Sequence, residues 1–378
     1  MSKGVTYMIY ADNAATTKLD IDAFEVMKKF LLDEYGNVSQ PYTFSRAGKK
    51  ALKEARITIA SCIGATPEEI FFTSGGTESD NWAIKGLMIY GDKRATITSN
   101  IEHHAVLNAC ANIERFGSPV EYLASNSQGI ITPETLKRVI TDRTRLVSIM
   151  LANNEIGTIE PIADLTKISH QHGALFHTDA VQALGHIPVD VKTLGVDMLS
   201  ASGHKFNAPK GVGFLYIRKG TKISPYADGG SQEFCMRAGT ENIASIAAMA
   251  IALKKNCDNM AVIENRLHFI EESFLQVLDD AEIDYIRNGA MEHIPGNINI
   301  SIRNVSGEML LHRLDLKGIC ISTGSACNSV NTRLSHVIKA IGVPKEYAEG
   351  TIRVSFGALN TKQDAIVIAK ALVGILRG

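Results

Sequence analysis

The sequence predicts an α/β protein with a mostly parallel sheet that is covered by helices on both faces. Apolar runs alternate with amphipathic stretches between residues 70 and 217, which is typical of parallel strands joined by crossover helices. Polar residues and glycines follow several of these runs, at the strand ends where open α/β sheets bind their ligands. An α+β pattern follows residue 256. We therefore expect a large α/β domain over residues 15–256 and a small α+β domain over residues 257–378, joined by residues 1–14.

Periodicity and the positions of glycine and proline set the element boundaries. A helix over residues 47–64 ends at a glycine, and Thr66-Pro67 begins a short helical turn. The large domain is expected to contain strands at residues 70–73, 95–99, 120–123, 145–151, 174–178, 198–201 and 213–217, and further helices at residues 78–90, 103–116, 133–140 and 162–172. The C-terminal pattern predicts helices at residues 240–256, 258–278, 307–316 and 333–341, strands at residues 298–302, 319–321 and 351–356, and a last helix that Thr361 and Asp364 begin as a capping box.

Composition excludes several classes of protein. The chain has 378 residues, 45% of them hydrophobic, and a net charge of -1, so nothing draws it to nucleic acid or to an anionic membrane. No apolar run reaches the roughly 18 residues that a membrane-spanning helix requires. The first residues lack the apolar core of a signal peptide. We therefore expect a cytoplasmic protein without direct nucleic-acid or membrane contacts.

The six cysteines, at positions 62, 110, 235, 257, 320 and 327, contain no Cys-x-x-Cys pair. The spacing therefore predicts free thiols rather than a disulfide framework or a zinc site. Cys62, Cys110 and Cys320 fit buried structural cysteines. No metal site is expected.

Lys205 stands in Ser202-Gly203-His204-Lys205, between two predicted strands. A lysine at such a strand edge can form a Schiff base with a carbonyl cofactor, although most lysines lie in surface loops. Upstream of Lys205, Asp179 stands at the end of the predicted strand at residues 174–178. A carboxylate in that place can keep the pyridinium nitrogen of pyridoxal phosphate protonated, so that the ring accepts electrons.

The segment from Phe71 to Ser79 has the layout of a strand, a glycine-rich turn and a helix. Such a turn offers free backbone N–H groups and the positive end of a helix to a phosphate. Each of these signals alone also has an ordinary explanation, as a loop lysine, a capping aspartate or a turn glycine. Together, each at the end of a predicted strand, they predict pyridoxal phosphate as the cofactor.

Five motifs make the chain similar to a known family. They are Gly75-Gly76-Thr77-Glu78-Ser79, His177-Thr178-Asp179-Ala180-Val181-Gln182, Ser202-Gly203-His204-Lys205, Arg237-Ala238-Gly239-Thr240-Glu241-Asn242 and Gly324-Ser325-Ala326-Cys327. With them the chain resembles the cysteine desulfurases of the NifS and IscS type, a branch of the class V, fold type I, pyridoxal-phosphate enzymes. The resemblance extends from about residue 10 to about residue 357.

The resemblance implies a role for each matching residue around the cofactor. Lys205 would carry the Schiff base and move protons, Asp179 would pair with the ring nitrogen, and Gln182 and Asn154 would contact the phenolate oxygen. His103 would stack on the ring, with His104 as the alternative. The phosphate would be bound by Gly76, Thr77, Ser202 and His204, and by Thr240 of a neighbouring subunit.

Thr240 therefore implies a homodimer, although a helix N-cap would also explain its position. Arg353, a charged residue in a strand pattern, would bind the substrate carboxylate with its planar guanidinium; a structural salt bridge is the alternative. Asn37 and Asn154 would also contact the substrate. One segment departs from the family pattern, since residues 36–46 lack its first proline and its histidine, and the shape of the site entrance is open there.

Cys327 lies in a run of small and polar residues that is typical of an exposed loop, where a thiol can ionise. The implied reaction removes sulfur from L-cysteine, leaves a persulfide on Cys327 and releases L-alanine. The sulfur would pass to an acceptor protein for iron–sulfur cluster assembly, thio-cofactor synthesis or tRNA thiolation. There are two alternatives. One is another class V enzyme, either an aminotransferase or a selenocysteine lyase-like protein. The other is a non-catalytic scaffold.

Overall fold

The computed structural model describes residues 8–88, 93–323 and 334–378. Its described strands, in chain order, are β1 (Ile9–Tyr10), β2 (Ile70–Thr73), β3 (Ala95–Ser99), β4 (Val120–Leu123), β5 (Thr144–Ser148), β6 (Leu175–Asp179), β7 (Met198–Ser202), β8 (Gly213–Ile217), β9 (Tyr285–Arg287), β10 (Asn297–Ile302), β11 (Ile319–Cys320) and β12 (Thr351–Ser355). Its described α-helices are α1 (Ile21–Leu32), α2 (Arg46–Cys62), α3 (Gly76–Lys85), α4 (His104–Arg115), α5 (Pro133–Lys137), α6 (Ile162–Gln171), α7 (Val191–Leu194), α8 (Ile243–Asp280), α9 (Gly307–Asp315), α10 (His336–Ala340), α11 (Lys345–Ala348) and α12 (Lys362–Leu376).

The central sheet has seven strands in the order β2-β8-β7-β6-β5-β3-β4. Strands β4, β3, β5, β6 and β7 run parallel, whereas β8 is antiparallel to both of its neighbours. β7, β8, β5 and β2 are buried throughout, as expected for strands covered by helices on both faces. The predicted fold class, α/β with a mostly parallel sheet, is therefore confirmed.

A second, smaller sheet has the order β12-β10-β9 and is antiparallel. It belongs to a separate hydrophobic cluster that includes Phe274, Ile298, Val354 and Leu372. β1 near the N-terminus pairs with β11, so the beginning of the chain joins the C-terminal part of the fold.

Helix α8 corrects the sequence prediction. We expected one helix to end at residue 256 and another to begin at residue 258, but residues 243–280 form one continuous helix of 38 residues. No proline or glycine interrupts this segment, so the polar residues near position 256 do not break the backbone hydrogen bonds. The helix begins after Asn242, whose side chain accepts a hydrogen bond from the N–H of Ser245. The alternative reading of Thr240 as its N-cap is therefore wrong.

Helix α1 was not predicted from the sequence. Asp20 caps it by accepting hydrogen bonds from the N–H groups of Asp22 and Ala23, the usual role of aspartate at that position. Ala23 is its one fully buried residue, and its other apolar side chains are partly or fully exposed. Within the described residues, no helix combines the length and apolar character needed to cross a membrane.

Candidate active site

A cavity of about 290 Å³ opens at the ends of the central strands, where β6 and β7 meet the N-terminus of α3. This volume is close to the lower end of small-molecule pockets. Most of the predicted site residues line it, namely Gly76, Thr77, His103, Asn154, Asp179, Gln182, Ser202, His204, Lys205 and Arg353. The fold thus brings together residues that lie more than 250 positions apart in the sequence.

Lys205 lies in a short 3-10 turn that directly follows β7. Its Nζ donates hydrogen bonds to the carbonyl oxygens of Ala14, at 2.6 Å, and Ala15, at 2.8 Å. The segment before α1 therefore closes one side of the cavity and holds the amine in place. These two carbonyls carry no sequence signal, because any residue supplies the same backbone oxygen.

Asp179 is the last residue of β6 and is buried. One carboxylate oxygen accepts a hydrogen bond from the N–H of Val181 at 2.9 Å. Burial raises the pKa of this carboxyl to about 6, against the opposing effects of the Val181 N–H and the positive charge of Lys205. Gln182, three residues on, donates from Nε2 to the carbonyl of Ala14 at 2.9 Å.

The turn before α3 depends on two glycines. Gly75 has a φ of 146°, which side chains rarely tolerate. A Cβ on Gly76 would come within 2.7 Å of Val181 Cγ2. The first N–H groups of α3 have no partner within the helix. Gly76 and Thr77, at the start of this helix, line the cavity. Their N–H groups are therefore placed to bind a phosphate.

His103 and His104 both line the cavity. His103 caps α4 by accepting a hydrogen bond at Nδ1 from the N–H of Ala105. Burial, and then the positive charge of Lys205, lowers the pKa of His103 to about 4. His104 instead packs against His336, with ring centroids 4.9 Å apart. The positive charge of Lys205 therefore affects the pKa of His103 more strongly than that of His104.

Arg353, in β12, is almost completely buried. Its Nη2 donates to Asp12 Oδ1 at 2.7 Å, and its Nη1 donates to the carbonyl of Asn154 at 2.7 Å. The structural salt bridge that the sequence left open is thus present, with Asp12 as the partner. It does not exclude a binding role, because the guanidinium still lines the cavity and has five donors.

Asp80 is a cavity residue that sequence reasoning missed. It is 1% exposed, one oxygen lies 3.7 Å from His177 Nε2, and that oxygen has no hydrogen-bond partner among the described residues. Burial, and then the negative charge of Asp179, raises its pKa well above the ordinary value. The signal was available, because Asp80 follows Gly76 by four positions and so lies on the same face of α3.

Two predicted site residues that the structure describes do not line this cavity. Thr240 is exposed and does not line it. Asn37 is also exposed, and its Oδ1 accepts a hydrogen bond from the N–H of Ser39 at 2.9 Å. Cys327 lies outside the described residues.

The cavity fits pyridoxal phosphate on its own geometry. A buried carboxylate such as Asp179 needs a positive partner, and a protonated ring nitrogen supplies one. The helix N-terminus at Gly76 offers N–H groups to the phosphate, and Lys205 supplies an amine for the aldehyde.

Comparisons with known proteins agree with this geometry. A family model described as aminotransferase class-V matches residues 9–366. The cysteine desulfurase IscS of Dictyoglomus turgidum (strain DSM 6724 / Z-1310) is 48% identical over 359 residues, which cover 94% of this chain and 91% of that protein. A solved NifS-like protein superposes with a TM-score of 0.92 at 35% identity, covering 98% of this chain and 100% of its own. The structure of SspA in complex with cysteine superposes with a TM-score of 0.82 at 33% identity, covering 92% and 99%.

These matches confirm the resemblance first seen in the motifs. The family model spans nearly the whole chain, and the relatives align over more than nine-tenths of it. The chain therefore belongs to the class-V aminotransferase family and, within that family, to the cysteine desulfurases of the IscS and NifS type.

Proposed function

We propose that this protein is a pyridoxal-phosphate-dependent cysteine desulfurase that converts L-cysteine to L-alanine and keeps the sulfur as a persulfide on Cys327. The observation that carries the proposal is the joint placement of Lys205, Asp179 and Arg353 around one cavity. The IscS relatives and the cysteine complex of SspA support cysteine as the substrate.

Arg353 would bind the substrate carboxylate. Asp12 and the carbonyl of Asn154 each accept one hydrogen bond from the guanidinium, which fixes its plane at the cavity wall, and a planar guanidinium matches the geometry of a carboxylate. Because the group is buried, its attraction for an anion is only weakly screened by water. Substrate would therefore enter with its carboxylate toward β12 and its amine toward Lys205.

Proton transfer would fall to Lys205. Its amine is placed by the carbonyls of Ala14 and Ala15 and can accept a proton once the substrate amine has replaced it. His103, with its pKa near 4, is neutral at physiological pH, so it can lie against an aromatic ring without adding a positive charge. Asp179 would remain ionised when paired with a protonated nitrogen.

When bound, pyridoxal phosphate supplies an electron sink for the substrate carbon. The Cys327 thiolate would attack the sulfur of the substrate, forming a sulfur–sulfur bond while the carbon–sulfur bond breaks. The electrons of that bond go to the substrate, which takes up protons and leaves as alanine. The protein keeps the sulfur as a persulfide, so no external oxidant or reductant is needed.

Several finer features belong to the same proposal. Thr240 would reach the cofactor phosphate of a second subunit, which makes the protein a homodimer; its exposure in one subunit is compatible with this role. The persulfide would pass to an acceptor protein for iron–sulfur cluster assembly or thiolation. We place the reaction in the cytoplasm, where thiols stay reduced.

We also propose that the chain divides into a large domain, residues 15–256, and a small domain, residues 257–378, that carries the Cys327 loop and is joined by residues 1–14. The separate hydrophobic clusters support this division. The pairing of β1 with β11 supports the role given to the N-terminal residues.

Cys327→Ser tests the proposed function directly. A hydroxyl is far less ionised than a thiol at neutral pH, so the variant should bind cofactor, stay yellow and change its absorption spectrum when cysteine is added. It should nevertheless release no alanine and carry no persulfide. Alanine formation at the wild-type rate would contradict the proposal and favour another class V reaction.

Lys205→Ala is the matched control. This variant should lose the covalent link to the cofactor and the spectral response to cysteine, while the fold is retained. A colourless wild-type protein that remained colourless after addition of pyridoxal phosphate would also contradict the proposal.

A further inference from the structure

An ion pair joins the first turn of α3 to the segment that carries Thr240. Arg237 Nε donates to Glu78 Oε1 at 2.8 Å, and Arg237 Nη2 donates to Glu78 Oε2 at 3.2 Å. The Glu78 side chain is 10% exposed and that of Arg237 is 25% exposed, so water screens this two-pronged contact only in part. Both residues belong to motifs that carry the family resemblance, yet neither lines the cavity.

Glu78 places a negative charge in the turn before α3. It is the third residue of the helix, and its Oε2 also accepts a hydrogen bond from the N–H of Ser74 at 3.1 Å. Burial raises the pKa of Glu78, but the hydrogen bonds from Arg237 and Ser74 outweigh burial and leave the pKa below its ordinary value. The turn that would bind the phosphate through Gly76 and Thr77 therefore contains an ionised carboxylate.

A carboxylate and a phosphate at the same helix end repel each other. A phosphate ester carries about −1.5 to −2 charges near neutral pH, and the repulsion is stronger inside a protein than in water because the effective dielectric constant is lower. An acidic side chain in the first turn stabilises an empty helix end, but it opposes a phosphate there. The guanidinium of Arg237 stays charged and, by pairing with Glu78, compensates this negative charge.

We propose that Arg237 is a positioning residue for the cofactor phosphate. It does not touch the cofactor. It neutralises Glu78 and holds that side chain against Ser74, so that the N–H groups of Gly76 and Thr77 remain available to a dianion. This role rests on the proposed function, in which the cofactor phosphate lies at the start of α3.

The backbone around Arg237 is held by contacts other than the ion pair. The N–H of Ala238 donates to the carbonyl of Ala227 at 3.1 Å. Trp82 of α3 donates from Nε1 to the carbonyl of Ser224 at 2.9 Å. These contacts remain when the Arg237 side chain is changed, so Arg237→Gln removes the charge and keeps the segment packed against α3.

Cofactor binding by the whole chain tests this role. The cofactor-free protein is titrated with pyridoxal phosphate and, separately, with pyridoxal, which has the same ring and aldehyde but no phosphate, and the change in absorbance gives both Kd values. In Arg237→Gln the Kd for pyridoxal phosphate should rise by about 10-fold or more, as expected for the loss of hydrogen bonds between charged groups. The Kd for pyridoxal should equal that of the wild type. Equal losses for the two ligands, or no loss for either, would overturn the proposal.

The double variant Arg237→Gln/Glu78→Gln separates charge from packing. The change at Glu78 keeps an acceptor for the N–H of Ser74 but removes the negative charge. The double variant should therefore recover most of the affinity for pyridoxal phosphate that Arg237→Gln loses. A double variant as weak as the single variant would overturn the charge compensation.

Two further variants complete the test. Thr77→Val should weaken binding of pyridoxal phosphate but not of pyridoxal. If it weakened neither, the phosphate site itself would be wrong, whereas a selective loss in Thr77→Val without one in Arg237→Gln would overturn the role of Arg237 alone. Arg287→Gln is the matched control, because it breaks an ion pair with the buried Glu271 outside the cavity lining. It should leave both Kd values unchanged, and a selective loss as large as that of Arg237→Gln would overturn the proposal.

Discussion

Arg353 shows how one residue can have a structural and a binding role together. The guanidinium is held by Asp12 and by the carbonyl of Asn154, yet it faces the cavity where a substrate would lie. A lysine at this place would keep the charge but lose the planar fork that binds a carboxylate through two parallel hydrogen bonds.

Arg353→Lys should therefore weaken substrate binding. Loss of a charge-assisted hydrogen bond costs about 1.5–3 kcal/mol, which corresponds to a roughly 10- to 150-fold fall in kcat/KM, since about 1.4 kcal/mol is tenfold. The effect should appear mainly in KM for cysteine, measured by alanine release. Arg303→Lys, at an exposed ion pair, is the control and should leave KM unchanged. An unaltered KM in Arg353→Lys would show that the role of Arg353 is structural.

Glu160 is a buried carboxyl outside the cavity whose titration should be visible in stability. Its side chain accepts a hydrogen bond from the N–H of Ile131 at 2.8 Å, but burial outweighs this and raises its pKa from 4.5 to about 8. Between these two values the folded protein keeps a proton that the unfolded chain has lost. The contribution of Glu160 to stability is therefore lost as the pH rises through this range.

Glu160→Gln mimics the protonated carboxyl at every pH. The variant should match the wild type near pH 5 and exceed its free energy of unfolding by a few kcal/mol near pH 8.5, because each pKa unit is worth about 1.4 kcal/mol. Urea unfolding at the two pH values measures this difference. The exposed Glu264→Gln is the control, and a Glu160→Gln effect that is equal at both pH values would contradict the prediction.

For single residues, the sequence predicted the members of the candidate site whose own side chains would perform the chemistry. Lys205 and Asp179 stand at strand ends in distinctive motifs, and the structure places both in the cavity. Asp12 and the carbonyls of Ala14 and Ala15 were missed because their contacts depend on how the N-terminal segment packs against Lys205 and Arg353. Pattern reasoning has no access to such long-range contacts.

Among the secondary-structure elements, the connection between β8 and α8 is held by a buried ion pair between Glu233 and Arg56. Glu233 is 7% exposed and pairs with Arg56 through two hydrogen bonds, at 2.7 and 2.8 Å. Its carboxylate also accepts from the N–H of Phe72 at 2.9 Å. Glu233, Phe234 and Cys235 all have positive φ values, a conformation that costs non-glycine residues energy. The buried ion pair offsets this cost and fixes the connection against β2.

Glu233→Ala should therefore be strongly destabilising, because it leaves Arg56 buried without its carboxylate. The expected loss is about 3–5 kcal/mol in the free energy of urea unfolding. The double variant Arg56→Met/Glu233→Leu should lose less than Glu233→Ala, since it removes both charges. A single-variant loss below that of the double variant would show that the pair does not anchor the connection.

The elements also show where sequence patterns succeed and fail. Strands β2, β3, β4 and β8 have the predicted boundaries, because each is a short run that contains β-branched or aromatic residues, the residue types that favour strands. The single long helix α8 was divided wrongly, since residues 244–250 are all buried whereas the later turns have one buried and one exposed face. A change in the environment of one helix resembles a break between two helices in sequence.

For the whole molecule, the main question is whether the active site is formed by one chain or by two. Thr240 is exposed and outside the cavity of its own subunit, while the connection that carries it is held rigidly by Glu233. If Thr240 reaches the phosphate of a twofold-related subunit, each site contains Lys205 from one chain and Thr240 from the other.

Mixing two inactive variants tests this arrangement. Lys205→Ala removes the Schiff-base amine, and Thr240→Glu places a negative charge against the phosphate of the partner, so each homodimer should be inactive. A heterodimer of the two has one site with both changes and one with neither. After subunits of the two variants are exchanged at equal amounts, random pairing in a twofold dimer should restore about a quarter of the wild-type alanine release. If Thr240 instead served its own subunit, every site would carry one change and mixing would restore nothing, while full activity of Thr240→Glu alone would remove Thr240 from the site.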